Sequence, residues 1–526
     1  MKTKLSSVYS FFSRPFTENF IFLVIISFLV CGPRGWYHIF MHHDSLKILL
    51  WETLHCYLLC YFVALLAIVI PLRYRKDYLI FWCFLAFLDF CIEIACLITT
   101  NAPFFANHIA IIMGTNPIEV SEFISAYFSY KLVIVILLAV LMVSLLYRQK
   151  DSISFMGRSL SIIACVITLL TAIVFIAKGS RSWSCKFYCK VSAFITYENP
   201  PMLSQYRKEL KINYLSQNIP TKVVVILGES FARSHSSLYG YSKNTNPILA
   251  SLVSDSLCVV YQNVSSPATS TIPSIKSVMS TYKQSYGESI NWYECETLIN
   301  IMSSSGYHTT WISNQAPSGV YDNVASRYAD LCDTVFWTRS KHVGAYNQPY
   351  DGEVLNIIHE NKEYLLRDGK QCVFIHLMGS HWDYSDRYPK EWDIFSIEQY
   401  KGLTEKQKKV IPVYDNSVLY NDYIVSEILN TFYEDEAVAF YFSDHGTDIF
   451  ESSENYCGYG IVDNKRSMEI AKSIPFIVYM SPSYQQNYPN KKQYIVDHAN
   501  LQMNTENFIE YLCGVMDISY SEVSEE

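Results

Sequence analysis

The fold of the C-terminal part of the chain is decided by the stretch Val223-Val-Val-Ile-Leu-Gly-Glu-Ser230. Val223–Leu227 is a short, continuous apolar run, which is typical of a strand buried on both faces. The run stops at Gly228, and a carboxylate, Glu229, follows directly. The carboxyl ends of buried parallel strands border the crevice where open α/β sheets bind ligands. Glu229 is therefore a candidate site residue, with the capping of a helix that begins near Ser230 as the alternative role.

A second apolar run, Ala437–Phe442, ends in the same way, because Asp444 and His445 follow it after one serine. If both runs are neighbouring strands of one sheet, Glu229, Asp444 and His445 meet at a single sheet edge. Mixed oxygen and nitrogen ligands of this kind suit a metal ion. The sequence therefore predicts a metal site at the ends of two buried strands.

Strand-like runs alternate with helical stretches throughout residues 221–526. The predicted strands are 223–227, 257–263, 308–312, 332–336, 372–377, 437–442 and 474–479. The predicted helices include Ile290–Ser304, Glu353–Leu366 and Leu419–Tyr433. This alternation predicts a three-layer α/β/α domain with a largely parallel sheet.

The first third of the chain is much more apolar. Hydrophobic residues make up 50% of the whole sequence and charged residues only 17%. The segments apolar enough to be membrane helices are Ile21–Cys31, Leu49–Leu72, Tyr78–Ile98, Lys131–Leu146 and Ser159–Ala177. These segments predict a transmembrane domain with five helices at residues 1–177, although a cleaved signal peptide is an alternative for the first one. Residues 178–220 read as an interfacial connector, with Ser204–Leu215 expected to form a helix on the membrane surface.

Basic residues predict the orientation of these helices. They cluster before the first span, between the second and third, and between the fourth and fifth: Lys2, Lys4, Arg14, Arg73, Arg75, Lys76, Arg148, Lys150 and Arg158. Positively charged loops stay in the cytoplasm, so an odd number of spans places the domain at 221–526 outside it. The net charge of −8 argues against a nucleic-acid partner.

Two further segments carry candidate site residues. The hydroxyl-rich turn Ala268-Thr-Ser-Thr271 precedes a helix expected to start near Pro273, where backbone N–H groups favour an anion such as phosphate. An ordinary Ser/Thr turn is the alternative. The stretch Phe374-Ile-His-Leu-Met-Gly-Ser-His381 ends another buried strand. Either His376 or His381 could be a core histidine, and His381, beyond the Gly-Ser break, is the better candidate for the crevice.

These segments, together with Tyr414-Asp-Asn-Ser417 and Ser443-Asp-His-Gly446, resemble phosphoethanolamine transferases of the alkaline phosphatase and sulfatase superfamily. That group includes the mobile colistin-resistance enzymes, and the resemblance covers nearly the whole chain. It implies a sulfatase-like catalytic domain in the periplasm, attached to a multi-pass domain in the bacterial inner membrane. It also implies transfer of phosphoethanolamine from phosphatidylethanolamine to lipopolysaccharide, on lipid A or a core sugar.

The resemblance assigns roles to individual residues of this sequence. The implied zinc ligands are Glu229, Thr271, Asp444 and His445. Thr271 would also be the nucleophile, which forms a covalent phosphoethanolamine-threonine intermediate, and His381 would lie near the phosphate. In the outward loop of the membrane domain, Thr115 and Glu119 would hold the ethanolamine headgroup.

Some features leave alternatives open. A further histidine of the family, downstream of the metal pair, has no counterpart in Asn455–Gly460, so a second metal ion is left open. A sulfatase would carry a Cys or Ser in the motif Cys/Ser-x-Pro-x-Arg, whereas Thr271–Ile275 has a Thr and no Arg. A phosphoglycerol transferase would share the metal-threonine chemistry, but Glu119 favours a cationic headgroup. A membrane-anchored binding protein that has lost its activity is the alternative from another class.

Overall fold

The computed structural model describes residues 2–36, 46–100, 104, 130–148, 163, 166, 168, 201–216, 218–315, 324–338, 350–454, 456–459 and 465–523. The chain divides into two compact units, one within residues 1–197 and one that consists largely of Glu198–Glu526. The first is helical and the second is a mixed α/β unit.

The described helices of the first unit are α1 Lys2–Glu18, α2 Phe20–Trp36, α3 Leu46–Val69, α4 Leu72–Thr100 and α5 Tyr130–Arg148. Among the described residues, Leu72–Leu97 is long and apolar enough to cross a membrane by itself, and Ser10–Glu18 with Phe20–Pro33 would form a second, bent span. A membrane domain is thus supported, but the count of five helices is not established. The last predicted span, Ser159–Ala177, lies largely outside the described residues.

All seven strands predicted for the second unit overlap strands of the structure, which has thirteen among its described residues. The thirteen strands are β1 Leu210–Tyr214, β2 Lys222–Gly228, β3 Cys258–Val260, β4 Asn263–Ser265, β5 His308–Ser313, β6 Thr334–Trp337, β7 Gln371–His376, β8 Ala437–Ser443, β9 Asp448–Ile449, β10 Cys457–Gly458, β11 Phe476–Met480, β12 Gln502–Asn504 and β13 Ile518–Glu522. Seven of them form one sheet in the order β3-β11-β8-β2-β7-β5-β6. Only β11 runs against its neighbours in this sheet, so the prediction of a largely parallel sheet is confirmed.

Helices cover both faces of this sheet. They are α6 Pro247–Ser254, α7 Thr271–Val278, α8 Leu298–Ser304, α9 Val324–Ala329, α10 Gly352–Glu360, α11 Lys362–Leu365, α12 Glu405–Thr431, α13 Lys465–Lys472, α14 Pro482–Asn487, α15 Pro489–His498 and α16 Phe508–Met516. Successive β2 residues alternate between two hydrophobic clusters, with Val223 and Val225 in one and Val224 in the other. Alternation into two separate cores is what a strand between two helical layers must show. The three-layer α/β/α architecture is therefore confirmed.

The expected surface helix at Ser204–Leu215 is wrong. A short 3-10 helix at Leu203–Tyr206 is followed by strand β1, which pairs antiparallel with β13 near the end of the chain. The pairing partner lies some three hundred residues away, so the local sequence pattern could not reveal it. Helix α8 is shorter than predicted because Thr297 caps it, accepting a hydrogen bond from the Asn300 amide at 3.1 Å.

Candidate functional site

The two central strands deliver three candidate ligands to one point. Strands β2 and β8 are parallel neighbours in which Gly228 pairs with Ser443, so Glu229 and Asp444 leave the sheet side by side. Ligand atoms of Glu229, Asp444 and His445 all lie within 4.8 Å of one another. Their exposed fractions are 1%, 0% and 0%, so the cluster is shielded from solvent. The structure thus brings together the three residues that the sequence placed at this edge.

The orientation of the His445 ring is fixed by a backbone carbonyl. Its Nδ1 lies 2.7 Å from the Gly446 carbonyl oxygen, and because a carbonyl can only accept, Nδ1 carries the proton. The Nε2 atom then faces the carboxylates, 3.1 Å from Glu229 Oε1 and 3.5 Å from Asp444 Oδ2. A histidine whose other nitrogen donates to a carbonyl is the usual arrangement for a metal ligand.

The turn after Glu229 directs polar groups at the same point. Ser230 adopts φ 56°, in the left-handed region that non-glycine residues rarely occupy. Its amide donates to Asp444 Oδ1 at 3.2 Å, and its hydroxyl donates to Glu229 Oε1 at 2.8 Å. The Tyr414 hydroxyl holds the turn by donating to the Ser230 carbonyl at 2.9 Å. No helix begins at Ser230, so the capping alternative for Glu229 is wrong.

One oxygen of this cluster fits a cation in particular. Asp444 Oδ1 accepts from the amides of Ser230 and His445, whereas the buried Oδ2 has no hydrogen-bond partner among the residues that the structure describes. A buried carboxylate oxygen without a donor is costly unless a cation compensates it. The residues present therefore fit a metal ion.

The electrostatics of the cluster agree with this. Burial and the neighbouring Glu229 charge raise the pKa of Asp444 above its usual range. Burial would also raise the pKa of Glu229, but its hydrogen bond with His445 outweighs burial and lowers it. Burial would lower the pKa of His445, yet Asp444 and Glu229 together raise it. The imidazolium thus supplies the positive charge that a metal dication would supply more strongly.

Thr271 completes the cluster from a different element. It is the first residue of α7, so this helix starts two residues earlier than predicted, with Pro273 tolerated in its first turn. The Thr271 Oγ1 atom lies 3.2 and 3.1 Å from the two carboxylate oxygens of Glu229 and 3.3 Å from His445 Nε2. The structure therefore places this hydroxyl beside the three candidate ligands, at the N-terminus of a helix.

His381 lies on the loop that follows β7, and this loop is attached to the end of β2. The Ser380 amide donates to the Glu229 carbonyl at 3.0 Å. Gly379 has φ +52°, and a Cβ there would lie only 2.7 Å from the Glu229 carbonyl oxygen. The close approach of the two backbones therefore requires glycine.

The candidate histidines differ in their surroundings. Burial lowers the pKa of His381 to about 4, so its ring is neutral, with contacts to Trp382 and Tyr459. His376 is 1% exposed, and its Nδ1 contacts Ser313 Oγ at 3.4 Å. The ligand cluster does not include His376.

Sequence reasoning missed two neighbours of the site. The Tyr459 ring lies 4.5 Å from the His445 ring, centroid to centroid, and its hydroxyl lies 3.0 Å from His381 Nε2. The buried Asp351 carboxylate accepts from the amides of Met378 and Gly379, each at 2.8 Å. No local pattern points to Tyr459, and Asp351 stands before α10, where a capping role is the obvious interpretation. Thr115 and Glu119 lie outside the described residues.

Comparison with known proteins agrees with the fold. A family model described as Sulfatase matches residues 221–505. The phosphoethanolamine transferase EptC of Escherichia coli O18:K1:H7 is 28% identical over 306 residues, which cover 56% of this chain and 50% of that protein. The chain therefore spans about half the length of the curated relatives it matches.

Two solved structures share the fold. The C-terminal periplasmic domain of Escherichia coli EptC in complex with Zn has a TM-score of 0.52 at 24% identity, covering 61% of this chain and 87% of that one. The integral membrane protein lipooligosaccharide phosphoethanolamine transferase A from Neisseria meningitidis has a TM-score of 0.64 at 18% identity, covering 95% of both chains. Because the family model matches more than half of its residues, the chain belongs to the sulfatase family.

Proposed function

We propose that the chain is an integral-membrane phosphoethanolamine transferase, which moves phosphoethanolamine from phosphatidylethanolamine to lipid A or a core sugar of lipopolysaccharide. The observation that carries this proposal is the position of Thr271 Oγ1, within hydrogen-bond distance of both Glu229 and His445. A threonine hydroxyl beside a buried cluster of metal-ligating type is the arrangement that an activated nucleophile needs. The names of similar proteins, phosphoethanolamine transferase EptC among them, support the choice of group transferred.

The metal that we propose is zinc, held by Glu229, Thr271, Asp444 and His445. Support comes from the donor set, from the orphaned Asp444 Oδ2, and from the zinc present in the similar EptC domain. Bound zinc would favour the alkoxide of Thr271 and stabilise negative charge on the phosphoryl oxygens. The part of the chain that the structure describes contains one such cluster, so we propose one ion.

The protein groups would carry out the reaction in two steps. In the first, Thr271 Oγ attacks the phosphorus of the donor, the bond to the diacylglycerol oxygen breaks, and that oxygen leaves with a proton as diacylglycerol. In the second, a hydroxyl or phosphate oxygen of the acceptor attacks the phosphoethanolamine-threonine, and Thr271 recovers its proton. Amide groups at the start of α7 would stabilise the phosphoryl oxygens in both steps.

The donor and its headgroup contacts belong to the same proposal. Thr115 and Glu119 would hold the ethanolamine headgroup, and the Glu119 carboxylate would attract its ammonium by charge. Phosphatidylglycerol lacks that ammonium, so its headgroup would gain no charge attraction from the carboxylate. Parallel reactions with the two lipids distinguish these donors.

We further propose that the catalytic unit faces the periplasm from the inner membrane. The distribution of basic residues along the N-terminal third supports this orientation. A reporter fused after Lys178 should be active outside the cytoplasm, and one fused after Arg75 inside it. The opposite pattern would contradict the proposal, because the catalytic unit would then face the cytoplasm.

The decisive experiment compares Thr271→Ala with Thr269→Ala in the full-length protein incubated with labelled phosphatidylethanolamine. Thr271→Ala should abolish both diacylglycerol release and the covalent adduct seen by intact-protein mass spectrometry. Thr269→Ala should keep a measurable rate. An adduct that maps to Thr269, or that survives in Thr271→Ala, would identify a different nucleophile. Mass spectrometry of lipopolysaccharide from cells with and without the intact gene then identifies the acceptor.

A further inference from the structure

Tyr459 contacts two functional candidates at once. Strand β10, Cys457–Gly458, pairs antiparallel with β9, Asp448–Ile449. The chain leaves the ligand cluster after His445, and this hairpin brings it back to the cluster. Tyr459 follows β10 directly, so the hairpin places it against the cluster. Its ring centroid lies 4.5 Å from that of His445, and its hydroxyl oxygen lies 3.0 Å from His381 Nε2.

The contacts of His381 determine which group donates in this hydrogen bond. His381 Nδ1 lies 3.1 Å from the Trp382 carbonyl oxygen, which can only accept, so Nδ1 carries the proton of the neutral ring. The other nitrogen, Nε2, then has only a lone pair to offer. The Tyr459 hydroxyl therefore donates to His381 Nε2, and the orientation of the imidazole is fixed at both nitrogens.

The ring contact acts on the other histidine. His445 is buried, and its Nδ1–H donates a hydrogen bond to the Gly446 carbonyl. The Tyr459 ring, inclined at 39° to the His445 ring, covers that imidazole and limits its rotation. Outer contacts of this kind orient a metal ligand and slow the loss of the metal.

We infer that Tyr459 is a positioning residue of the reacting site, orienting His381 through its hydroxyl and the metal ligand His445 through its ring. This inference rests on the proposed transferase function. The hydroxyl and the ring make separate contributions, and two substitutions separate them. Tyr459→Phe removes the hydroxyl and keeps the ring, whereas Tyr459→Leu removes both.

The first measurement is diacylglycerol release from labelled phosphatidylethanolamine by the full-length protein. Tyr459→Phe should lower kcat about 10- to 100-fold and leave KM within about twofold, because an orienting contact is lost while substrate binding is kept. Tyr433→Phe, a tyrosine with an exposed fraction of 41% at the end of α12, is the matched control and should behave like the wild type. A wild-type kcat for Tyr459→Phe would overturn the role of the hydroxyl.

A double-mutant cycle excludes a merely structural effect. If the hydroxyl acts through His381, adding Tyr459→Phe to His381→Ala should lower kcat no further. Effects that multiply in full would show that Tyr459 acts independently of His381 and would overturn the inference.

The ring is tested without any turnover. In the full-length protein loaded with zinc, release of the metal to a chromogenic chelator should be about tenfold faster for Tyr459→Leu and unchanged for Tyr459→Phe. Equal release rates for wild type and Tyr459→Leu would overturn the role of the ring. If the wild type releases no diacylglycerol, the proposed function fails, whereas the zinc-release comparison still decides whether Tyr459 positions His445.

Discussion

The candidate site has two halves that are held in different ways. Glu229 and Asp444 leave the ends of adjacent central strands, and the neighbouring amides of Ser230 and His445 bind the Asp444 carboxylate. His381 and Tyr459 lie instead on a loop and at the end of a two-residue hairpin strand. The first half is fixed by the ladder hydrogen bonds of a buried sheet, and the second half by individual hydrogen bonds and side-chain contacts of loop residues.

This difference indicates how the chemistry is divided. Sites on strands and helices hold their geometry more precisely than sites on loops, and a metal requires such precision. Side chains that contact first a phospholipid and then a different acceptor can adjust to both when they lie on loops. We therefore expect substitutions in the sheet-borne half to remove the metal. Substitutions in the loop-borne half that leave its contacts with Glu229 and His445 intact should lower turnover while the metal stays.

The largest effect should follow from Asp444→Ala. This change removes the carboxylate whose Oδ2 faces the cluster without a hydrogen-bond donor among the described residues. Bound zinc, measured by plasma mass spectrometry, should fall well below one ion per chain, and diacylglycerol release should fall more than about a thousandfold. Asp497→Ala, at an exposed helix position, is the control and should keep both. A folded Asp444→Ala protein with normal zinc content would refute the metal assignment.

The second effect tests the contact between the halves. In Gly379→Ala the added Cβ would lie 2.7 Å from the Glu229 carbonyl oxygen and 2.8 Å from the Glu229 amide nitrogen. The strand end must shift, and a displacement of about 1 Å at a reacting site can cost about a hundredfold in rate. Gly379 belongs to the loop-borne half and Glu229 to the sheet-borne half. The shift would therefore displace a proposed zinc ligand, and zinc affinity should fall as well.

A matched control for Gly379→Ala is Gly402→Ala. Gly402 has φ +75°, and among the described residues other than its chain neighbours no atom lies within 4 Å of the added Cβ. This variant therefore bears only the strain of a left-handed alanine. Equal losses of activity in the two variants would show that crowding against Glu229 is irrelevant.

The sequence predicted the sheet-borne half better than the loop-borne half, for a physical reason. Continuous apolar runs such as Val223–Leu227 and Ala437–Phe442 identify buried strands, and the residue after each run must lie at the sheet edge. The positions of Glu229 and Asp444 therefore follow from local pattern alone. Their role as metal ligands is predicted from the same pattern and from the family resemblance, whereas the proposed role of Thr271 as the nucleophile rests on the resemblance.

Contacts that join distant parts of the chain could not be predicted in this way. Tyr459 reaches His445 through a hairpin with two-residue strands, and Asp351 reaches the turn at Gly379 across the sheet edge. The pairing of β1 with β13 is non-local in the same sense. Strand β1 lies within the segment Ser204–Leu215, where a helix was expected. Hydrophobic periodicity carries no information about such partners, because it reports which face of an element is buried and not what lies against it.

A third, smaller effect concerns the support of the loop-borne half. The Asp351 carboxylate accepts from the amides of Met378 and Gly379 and from the Asn314 side chain, each at 2.8 Å. Asp351→Asn replaces one accepting oxygen with an NH2 group, which cannot accept a hydrogen bond. One of these donors then loses its partner, which should lower the free energy of unfolding by about 1–3 kcal/mol. Turnover should fall about tenfold as the His381 loop loosens, while zinc stays bound.

The control for this prediction is Asp333→Asn. Asp333 accepts from the Thr309 amide at 2.8 Å at the far edge of the sheet, so its loss should lower stability but not turnover. Loss of zinc in Asp351→Asn would contradict the division between the halves.

The smallest effect concerns the support of the sheet-borne half and depends on pH. His235, in the segment that follows Glu229, pairs with Asp415 of α12 at 2.6 Å and lies 3.6 Å from Glu451. Burial would lower the pKa of His235, but Asp415 and Glu451 outweigh burial and raise it. A pKa raised in the folded state means that the stabilisation is complete below the unfolded value of about 6.5 and is lost as pH rises through the folded value. The melting temperature of the full-length wild type should therefore exceed that of His235→Gln most clearly below about pH 6.5, and the gap should narrow as pH rises above that value. A gap that is constant or widens with pH would show that this pair stabilises the segment by packing and not by charge.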